Sequence, residues 1–99
     1  MSHYRLTRLA EADLVDIWSY IGLEQENPTA ADTVLSTLRA RFSLLATQPL
    51  MGVSREEYGE NLRSFPSDNS LIFCRPIDDG IEVIRVVRGG RDIDALFRG

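Results

Sequence analysis

Two apolar runs separated by a turn signal constrain the fold of this chain more strongly than any other feature. The runs span residues 70–77 and 81–88, are rich in β-branched residues, and are joined through Asp78-Asp79-Gly80. An Asp-Gly pair tolerates the positive φ angles that tight turns require, so the pattern predicts an antiparallel β-hairpin. Because apolar residues fall on both faces of these strands, the sheet that contains them needs cover on each side.

Two amphipathic helices precede this hairpin. The first is predicted over about residues 8–24 with Thr7 as its N-cap, and the second starts at Asn27-Pro28 and stops before Gln48-Pro49. Their apolar stripes consist of Ala10, Leu14, Ile17, Trp18 and Ile21 in the first helix, and of Ala31, Val34, Leu35, Leu38, Phe42 and Leu45 in the second. Helices this close in sequence form an antiparallel pair, and we expect the pair to cover a sheet.

Shorter segments complete the predicted fold. A first strand is expected over residues 3–7, a surface connection over 49–61, a strand over 62–65, a turn over 66–69 and a short helix over 92–97. The expected class is α+β, with an N-terminal strand and a helical hairpin packed on one face of a mainly antiparallel sheet, and a short C-terminal helix. The 99 residues are expected to form one domain, residues 1–99.

Composition limits the chemistry that this chain can carry. All eleven Lys/Arg positions are arginine, which excludes Schiff-base chemistry and a lysine general base. Cys74 is the only cysteine and lies in an apolar run, so we expect a buried thiol, no metal and no other cofactor. His3 is the only histidine and lies near the chain end, where a mobile side chain makes a poor catalytic base. No catalytic residue is therefore assigned.

The charge and hydropathy of the chain bear on its partners and its location. A formal charge of −4 repels polyanions, so no direct sequence-specific binding of nucleic acid is expected. No apolar run approaches the roughly 18 residues of a membrane span, and the first residues lack a charged-then-apolar leader. We therefore expect a cytoplasmic protein that does not contact a membrane.

Five arginines cluster in the predicted sheet segment: Arg63, Arg75, Arg85, Arg88 and Arg91. Strand alternation predicts that Arg85 shares a face with Val83 and Val87 and that Arg88 lies on the opposite face. One interpretation is a binding surface for another macromolecule. The other is a set of solvated edges or ion pairs with the nearby acids Asp78, Glu82, Asp92 and Asp94.

Two interpretations also remain open for the face of the sheet that the helices do not cover. Because the two helices can cover only one face, the apolar residues on the other face predict a protein partner. The alternative is a curved sheet whose own termini and long connection cover that face.

Short motifs along nearly the whole chain form an ordered set. They are Tyr4-Arg5-Leu6-Thr7, Ala10-Glu11-Ala12-Asp13-Leu14, Ile17-Trp18-Ser19-Tyr20-Ile21, the Pro28-containing helix, Gln48-Pro49-Leu50-Met51-Gly52, Leu62-Arg63-Ser64-Phe65-Pro66, Leu71-Ile72-Phe73-Cys74-Arg75, Gly80-Ile81-Glu82-Val83-Ile84-Arg85-Val86-Val87 and Arg91-Asp92-Ile93. This set resembles the ParE branch of the RelE/ParE toxin superfamily. The resemblance implies a RelE/ParE-like fold and the toxin of a type II toxin–antitoxin system. It further implies a toxin that a ParD-like antitoxin holds inactive and that poisons DNA gyrase by binding, without being an enzyme.

The resemblance and the arginine cluster together give candidate contact residues. The candidates for contact with gyrase are Arg88, Arg91, Asp92 and Phe97, and those for contact with the antitoxin are Leu71, Phe73, Arg75 and Arg85. A different alternative is an interaction module that has lost its toxicity and is stable only with its antitoxin.

The RelE branch implies a further alternative, a ribosome-dependent mRNA endonuclease. Its basic positions correspond to Arg63 and Arg91 in this chain, whereas its middle arginine falls near Ser70 and its lysine near Asn61. Its C-terminal tyrosine falls near Phe97, which cannot exchange a proton. The enzymatic interpretation is therefore the weaker of the two.

Overall fold

The computed structural model describes residues 2–89 and 93–98. Its elements are β1 (His3–Leu6), α1 (Arg8–Ser19), a π-helix (Tyr20–Glu24), α2 (Pro28–Thr47), β2 (Val53–Ser54), β3 (Arg63–Ser67), β4 (Ser70–Ile77), β5 (Gly80–Arg88) and α3 (Ile93–Arg98). The strands form one sheet in the order β1-β5-β4-β3-β2. β1 runs parallel to β5 and the other neighbours are antiparallel. The predicted α+β class is confirmed.

β1 can lie beside β5 because residue 80 is glycine. A Cβ atom at Gly80 would lie 1.6 Å from the carbonyl oxygen of His3, the residue that pairs with it. The N–H of His3 also donates to the carbonyl oxygen of Asp79 over 3.0 Å. The glycine predicted for the turn therefore starts the strand instead, and its missing side chain admits the parallel neighbour.

Both long helices begin at their predicted capping residues. Thr7 Oγ1 accepts a hydrogen bond from the N–H of Ala10 over 3.0 Å, and Asn27 Oδ1 accepts one from the N–H of Ala30 over 3.1 Å. Each cap satisfies a donor that the helix itself leaves unpaired. No helix among the described residues is both long and apolar enough to cross a membrane.

The first helix departs from the prediction at its end, where it widens into the π-helix. The N–H of Gln25 donates to the carbonyl oxygen of Tyr20 over 2.9 Å, which is the five-residue spacing of that conformation. The ring of Trp18 lies against Gly22, where an added Cβ would lie 2.9 Å from the ring carbon Cζ3. The wide turn of the π-helix thus accommodates the indole ring of Trp18. The spacing of apolar residues in the sequence does not predict such a widened turn.

The face of the sheet towards α1 and α2, called the helix face, carries the larger apolar core. The fully or nearly fully buried residues of this core include Leu14, Ile17, Ala31, Leu38, Phe42, Leu45, Ile72, Cys74, Ile81, Val83 and Val86. Most members of the two predicted helical stripes are among them or pack against them. The predicted packing of the helical hairpin on one face of the sheet is confirmed.

The opposite face, called the outer face, is covered by the chain itself. Leu62, Phe73 and Val87 are buried there, and they are packed against by Tyr58, Leu71, Ile84, Ile93, Leu96 and Phe97. α3 and the connection before β3 therefore provide the cover. The expectation of an uncovered apolar face is wrong, and the alternative, cover by the chain's own terminus and connection, is confirmed.

A β-bulge in the central hairpin changes which residues share a face. Phe73 pairs with Arg85, whereas the next residue, Cys74, pairs with Val83, so β5 has one extra residue at this point. As a result Val83 packs on the helix face and Val87 on the outer face. The predicted common face of Val83 and Val87 is wrong because an extra residue reverses the alternation that follows it.

The predicted connection over residues 49–61 is more ordered than its sequence suggests. It contains β2, whose two residues pair with Arg63 and Ser64 of β3. The Nε–H of Arg55 donates to Ser64 Oγ over 2.8 Å, and the N–H of Arg55 donates to the carbonyl oxygen of Leu62 over 2.7 Å. A strand of two residues is too short to give a periodic signal, so the prediction missed it.

Candidate protein-binding surfaces

Arg85 lies at the edge of the sheet, where Asp13 of α1 binds it. The Nε–H and Nη2–H groups of Arg85 donate to the two carboxylate oxygens of Asp13 over 2.8 and 2.9 Å. The same carboxylate accepts the N–H of Val86 over 2.8 Å. The hydrogen bond that Arg85 donates to Asp13 is the main cause that raises the pKa of Arg85. Because its side chain is only 17% exposed, Arg85 serves first as an internal connection between helix and strand.

Arg88 lines a cleft between the end of β5 and the π-helix. The cleft has a volume of about 840 Å³, and Arg85, Tyr20, Leu23 and Leu96 also line it. Within the described residues, no carboxylate forms an ion pair with Arg88. The cleft therefore brings together one predicted gyrase contact, Arg88, and one predicted antitoxin contact, Arg85.

Arg75 belongs to a separate polar row across three strands. Its Nε–H and Nη2–H donate to Glu82 Oε1 over 3.0 and 2.8 Å, and the Nε–H of Arg5 donates to Glu82 Oε2 over 3.2 Å. Arg5 and Arg75 are both register partners of Glu82. The ion pair predicted between an arginine of this cluster and Glu82 is confirmed for Arg75. Its side chain remains 50% exposed, so a partner can still reach it.

Phe73 is fully buried beneath α3. The ring of Phe97 lies 4.7 Å from that of Phe73 and 5.3 Å from that of Tyr58, measured between centroids. Leu71 is half-buried in the same cluster. Phe73, predicted as an antitoxin contact, is thus inaccessible while α3 is in place. Phe97, predicted as a gyrase contact, holds α3 against the sheet.

Arg63, the nuclease-type candidate, binds the preceding connection. Its Nη1–H groups donate to the carbonyl oxygens of Gly52 and Leu50 over 2.7 and 3.2 Å. This contact ties β3 to the segment before β2. The remaining candidates, Arg91 and Asp92, lie outside the described residues.

Three residues with central roles were missed by the sequence prediction: Asp13, Glu82 as a bridge between two arginines, and Tyr58. Nothing in the sequence connects Asp13 to Arg85, which lies 72 residues further along the chain. The bridge at Glu82 follows from the pairing register, which places residues of three strands side by side. Tyr58 donates its hydroxyl hydrogen to Asp94 Oδ1 over 2.5 Å, and a pairing over this distance in sequence has no local signal.

Two solved structures that share the fold of this chain come from toxin–antitoxin systems. A chain of the chromosomal ParDE TA system from P. aeruginosa superposes with a TM-score of 0.71 at 22% identity, covering 90% of this chain and 97% of that chain. A chain of the RelBE2 toxin–antitoxin complex from Mycobacterium tuberculosis superposes with a TM-score of 0.56 at 19% identity, covering 88% and 96%. These two likenesses show that the chain has the same fold as proteins of toxin–antitoxin systems.

Sequence similarity narrows this class to one family. The family model described as "ParE toxin of type II toxin-antitoxin system, parDE" matches residues 4–93, and the chain belongs to that family. Toxin ParE1 of Caulobacter vibrioides (strain ATCC 19089 / CIP 103742 / CB 15) is 37% identical over an alignment of 91 residues that covers 88% of this chain and 88% of that protein. The suspected resemblance to the ParE branch is confirmed.

Proposed function

We propose that this protein is a cytoplasmic toxin that binds and poisons DNA gyrase and that a ParD-like antitoxin neutralises it. The observation that carries the proposal is the match to the ParE toxin family over residues 4–93. The toxin acts as a protein-binding poison and not as an enzyme. Its gyrase contacts are Arg88, Arg91, Asp92 and Phe97, and its exposed antitoxin contacts include Arg75.

The geometry around the nuclease-type positions favours this proposal over mRNA cleavage. Acid–base catalysis of RNA cleavage needs a group at the scissile phosphate that exchanges a proton. Residue 97 is a phenylalanine whose ring packs on Phe73 and Tyr58, and it has no proton to exchange. The guanidinium of Arg63 donates to the backbone carbonyl oxygens of Leu50 and Gly52, so part of its donor capacity is already used within the chain.

The proposal is tested by expression of the toxin with and without its antitoxin, with two readouts in parallel. Without antitoxin we expect growth arrest, induction of the DNA-damage response and linear plasmid DNA when purified toxin is incubated with gyrase and then treated with detergent and protease. Co-expression of the antitoxin restores growth. Arrest with cleaved mRNA and intact DNA would instead support the endonuclease, and the absence of both effects would support an interaction module without toxicity.

The gyrase contacts are tested by Arg91→Ala. We expect fewer gyrase–DNA cleavage complexes at equal protein concentration, whereas affinity for the antitoxin, measured by calorimetry, serves as the control for correct folding. Unchanged cleavage complexes would remove Arg91 from the contact surface.

A further inference from the structure

The exposed large apolar side chains of the described residues fall into two groups. One group lies on α1 and the π-helix and consists of Leu9, Val15, Tyr20 and Leu23. The other lies at the end of α2 and in the segment that enters β2, and it consists of Leu44, Leu50, Met51 and Val53. We call this second group the β2-edge patch. β2 is an outermost strand of the sheet and β1 is the other, so the two groups are separate surfaces.

Backbone contacts hold the β2-edge patch in one conformation. The N–H of Gln48 donates to the carbonyl oxygen of Leu44 over 3.2 Å, and the N–H of Met51 donates to that of Gln48 over 3.0 Å. The guanidinium of Arg63 donates to the carbonyl oxygens of the residues on either side of Met51. Exposed apolar side chains on a backbone that is already ordered cost less entropy to bind than those of a flexible loop.

The charges around the β2-edge patch indicate what kind of partner fits it. The whole chain has 15 Asp and Glu residues, yet none falls between residues 33 and 55. Arg41 precedes Leu44 by three residues and so lies on the same side of α2. Within the described part of the chain, Arg41 forms no ion pair. Apolar side chains beside a free guanidinium are complementary to a protein surface that carries apolar side chains beside carboxylates.

The connection that follows β2 leads from this patch to α3. The N–H of Tyr58 donates to the carbonyl oxygen of Arg55, the residue after β2, over 2.9 Å. The ring of Tyr58 stacks on that of Phe97 at 5.3 Å between centroids, and its hydroxyl donates to Asp94. Because Phe97 is a proposed gyrase contact, the β2-edge patch continues the surface at which gyrase is proposed to bind.

We propose that the β2-edge patch is a second docking surface for gyrase. This inference rests on the proposed function, since it names a further part of the same contact. Apolar side chains of gyrase cover Leu50 and Val53, and a carboxylate of gyrase pairs with the guanidinium of Arg41. β3 separates the patch from β4 and β5, which carry the candidate antitoxin contacts Arg75 and Arg85. Substitutions in the patch therefore weaken binding of gyrase and leave binding of the antitoxin intact.

A matched pair of surface leucines tests the apolar part of the patch. Leu50 is 67% exposed in the patch, and Leu9 is 58% exposed on α1. Leu50→Asp is expected to weaken binding to purified gyrase by roughly tenfold or more, because it places a carboxylate against apolar side chains. Leu9→Asp is expected to leave this affinity within about twofold. Surface plasmon resonance with immobilised gyrase measures both, and the yield of cleavage complexes should fall for the Leu50 variant alone.

A matched pair of arginines tests the charge. Arg41→Gln is expected to weaken binding to gyrase by roughly fivefold, because one charge-assisted hydrogen bond is lost. Arg8 is exposed on α1 and likewise has no ion pair within the described residues, so Arg8→Gln is expected to change the affinity by less than about twofold. Added salt should reduce the effect of the Arg41 substitution and leave that of the Leu50 substitution unchanged.

The outcomes distinguish this inference from the function on which it rests. Circular dichroism and an affinity for the antitoxin within about twofold of the wild type verify the fold of each variant. If the wild type and both patch variants bind gyrase equally and form equal amounts of cleavage complex, gyrase uses other surfaces and only this inference falls. Loss of antitoxin binding with gyrase binding unchanged would assign the patch to the antitoxin, and weaker binding to duplex DNA alone would assign it to DNA. If the wild type itself neither binds gyrase nor forms cleavage complexes, the proposed function falls and this inference falls with it.

Discussion

Asp13 connects the first long helix to the sheet through three hydrogen bonds. One carboxylate binds the guanidinium of Arg85 with both oxygens and also accepts the N–H of Val86. These contacts attach α1 to β5 beyond the end of β1, where backbone pairing stops. The side chain of Arg85 is therefore positioned by a helix that is far from it in sequence.

The contribution of this carboxylate is measurable by substitution. Asp13→Ala is expected to lower the free energy of unfolding by about 2–3 kcal/mol, because two charge-assisted hydrogen bonds and one backbone bond are lost in a half-buried place. Urea denaturation measures the change. Asp16→Ala is the matched control on the same helix: Asp16 is exposed, so a change within about 0.5 kcal/mol is expected. Equal effects of both substitutions would show that the Arg85 contact contributes little.

Cys74 predicts a pH dependence of stability. Burial raises the pKa of its thiol from 9.0 to about 11, and the charge of Arg63 offsets part of this increase. The folded state thus favours the protonated thiol. The raised pKa of Cys74 contributes its full stabilisation to the folded state below pH 9. As the pH rises from 9 towards about 11, the free energy of unfolding falls by about 1.4 kcal/mol for each pH unit.

The difference in unfolding free energy between wild type and Cys74→Ala isolates this effect from that of other groups. We expect the difference to be constant from pH 6 to 8 and to shrink between pH 9 and 11. A difference that does not change up to pH 10.5 would contradict the raised pKa. The native thiol should also react with alkylating reagents more slowly than the thiol of the protein unfolded in guanidinium.

β1 and α3 are short elements whose placement depends on a few specific contacts. β1 approaches β5 where a glycine leaves room for the His3 carbonyl group. α3 lies on the outer face through the ring of Phe97 and the hydrogen bond between Tyr58 and Asp94. Each element is short, so its stability comes from packing and not from its own backbone bonds.

The pairing of β1 with β5 predicts that two Gly→Ala substitutions, at Gly80 and at Gly59, differ strongly in their effect on stability. Gly80→Ala is expected to lower the free energy of unfolding by about 2–3 kcal/mol, because the new Cβ collides with the backbone of His3 and the backbone of residue 80 becomes strained. Gly59→Ala is the control, since its Cβ would lie 3.8 Å from Leu62 in ordinary contact. Thermal unfolding of both variants measures the difference, and similar melting temperatures would contradict the described pairing.

Because α3 covers the outer face, shortening the side chain of Phe97 is expected to expose that face. Phe97→Ala removes the ring that covers Phe73 and is expected to destabilise the docked helix by about 2 kcal/mol. Greater binding of 8-anilinonaphthalene sulfonate and faster amide exchange in α3 should follow, with β4 and β5 unaffected. Exchange that accelerates equally throughout the sheet would mean that α3 is part of the global folding unit.

The protein as a unit has apolar cores on both sides of one sheet. The helix face carries the larger core, beneath α1 and α2, and the outer face carries a smaller one beneath α3. The strands β4 and β5 contribute residues to both. Because the two cores share these strands, they are expected to be lost together when the sheet unfolds.

This shared sheet predicts one cooperative unfolding transition. Trp18 is the only tryptophan and contacts α2 through its indole N–H, which donates to Asp32 over 2.9 Å. Its fluorescence should therefore report the same urea midpoint as circular dichroism of the whole chain. A fluorescence midpoint below that of circular dichroism would show that the helical hairpin separates from the sheet before the sheet unfolds.

The amino-acid sequence by itself determined the fold class and the longer elements of this protein, whereas the two-residue β2 and the π-helix escaped it. Helix starts followed from local chemistry, as at Thr7 and Asn27, and the central hairpin from two apolar runs around a turn signal. Ordered motifs also identified the ParE branch. These features depend on neighbours within a few residues, so a single chain reveals them.

Only the tertiary structure decided where the candidate residues are available to a partner. It placed Phe73 beneath Phe97, bound Arg85 to Asp13 and left Arg88 in a cleft beside the π-helix. A single bulge reversed the faces of β5, and strand alternation cannot foresee an extra residue. Accessibility and pairing arise from contacts between segments that are distant in sequence, and the energies of those contacts leave no local pattern in the chain.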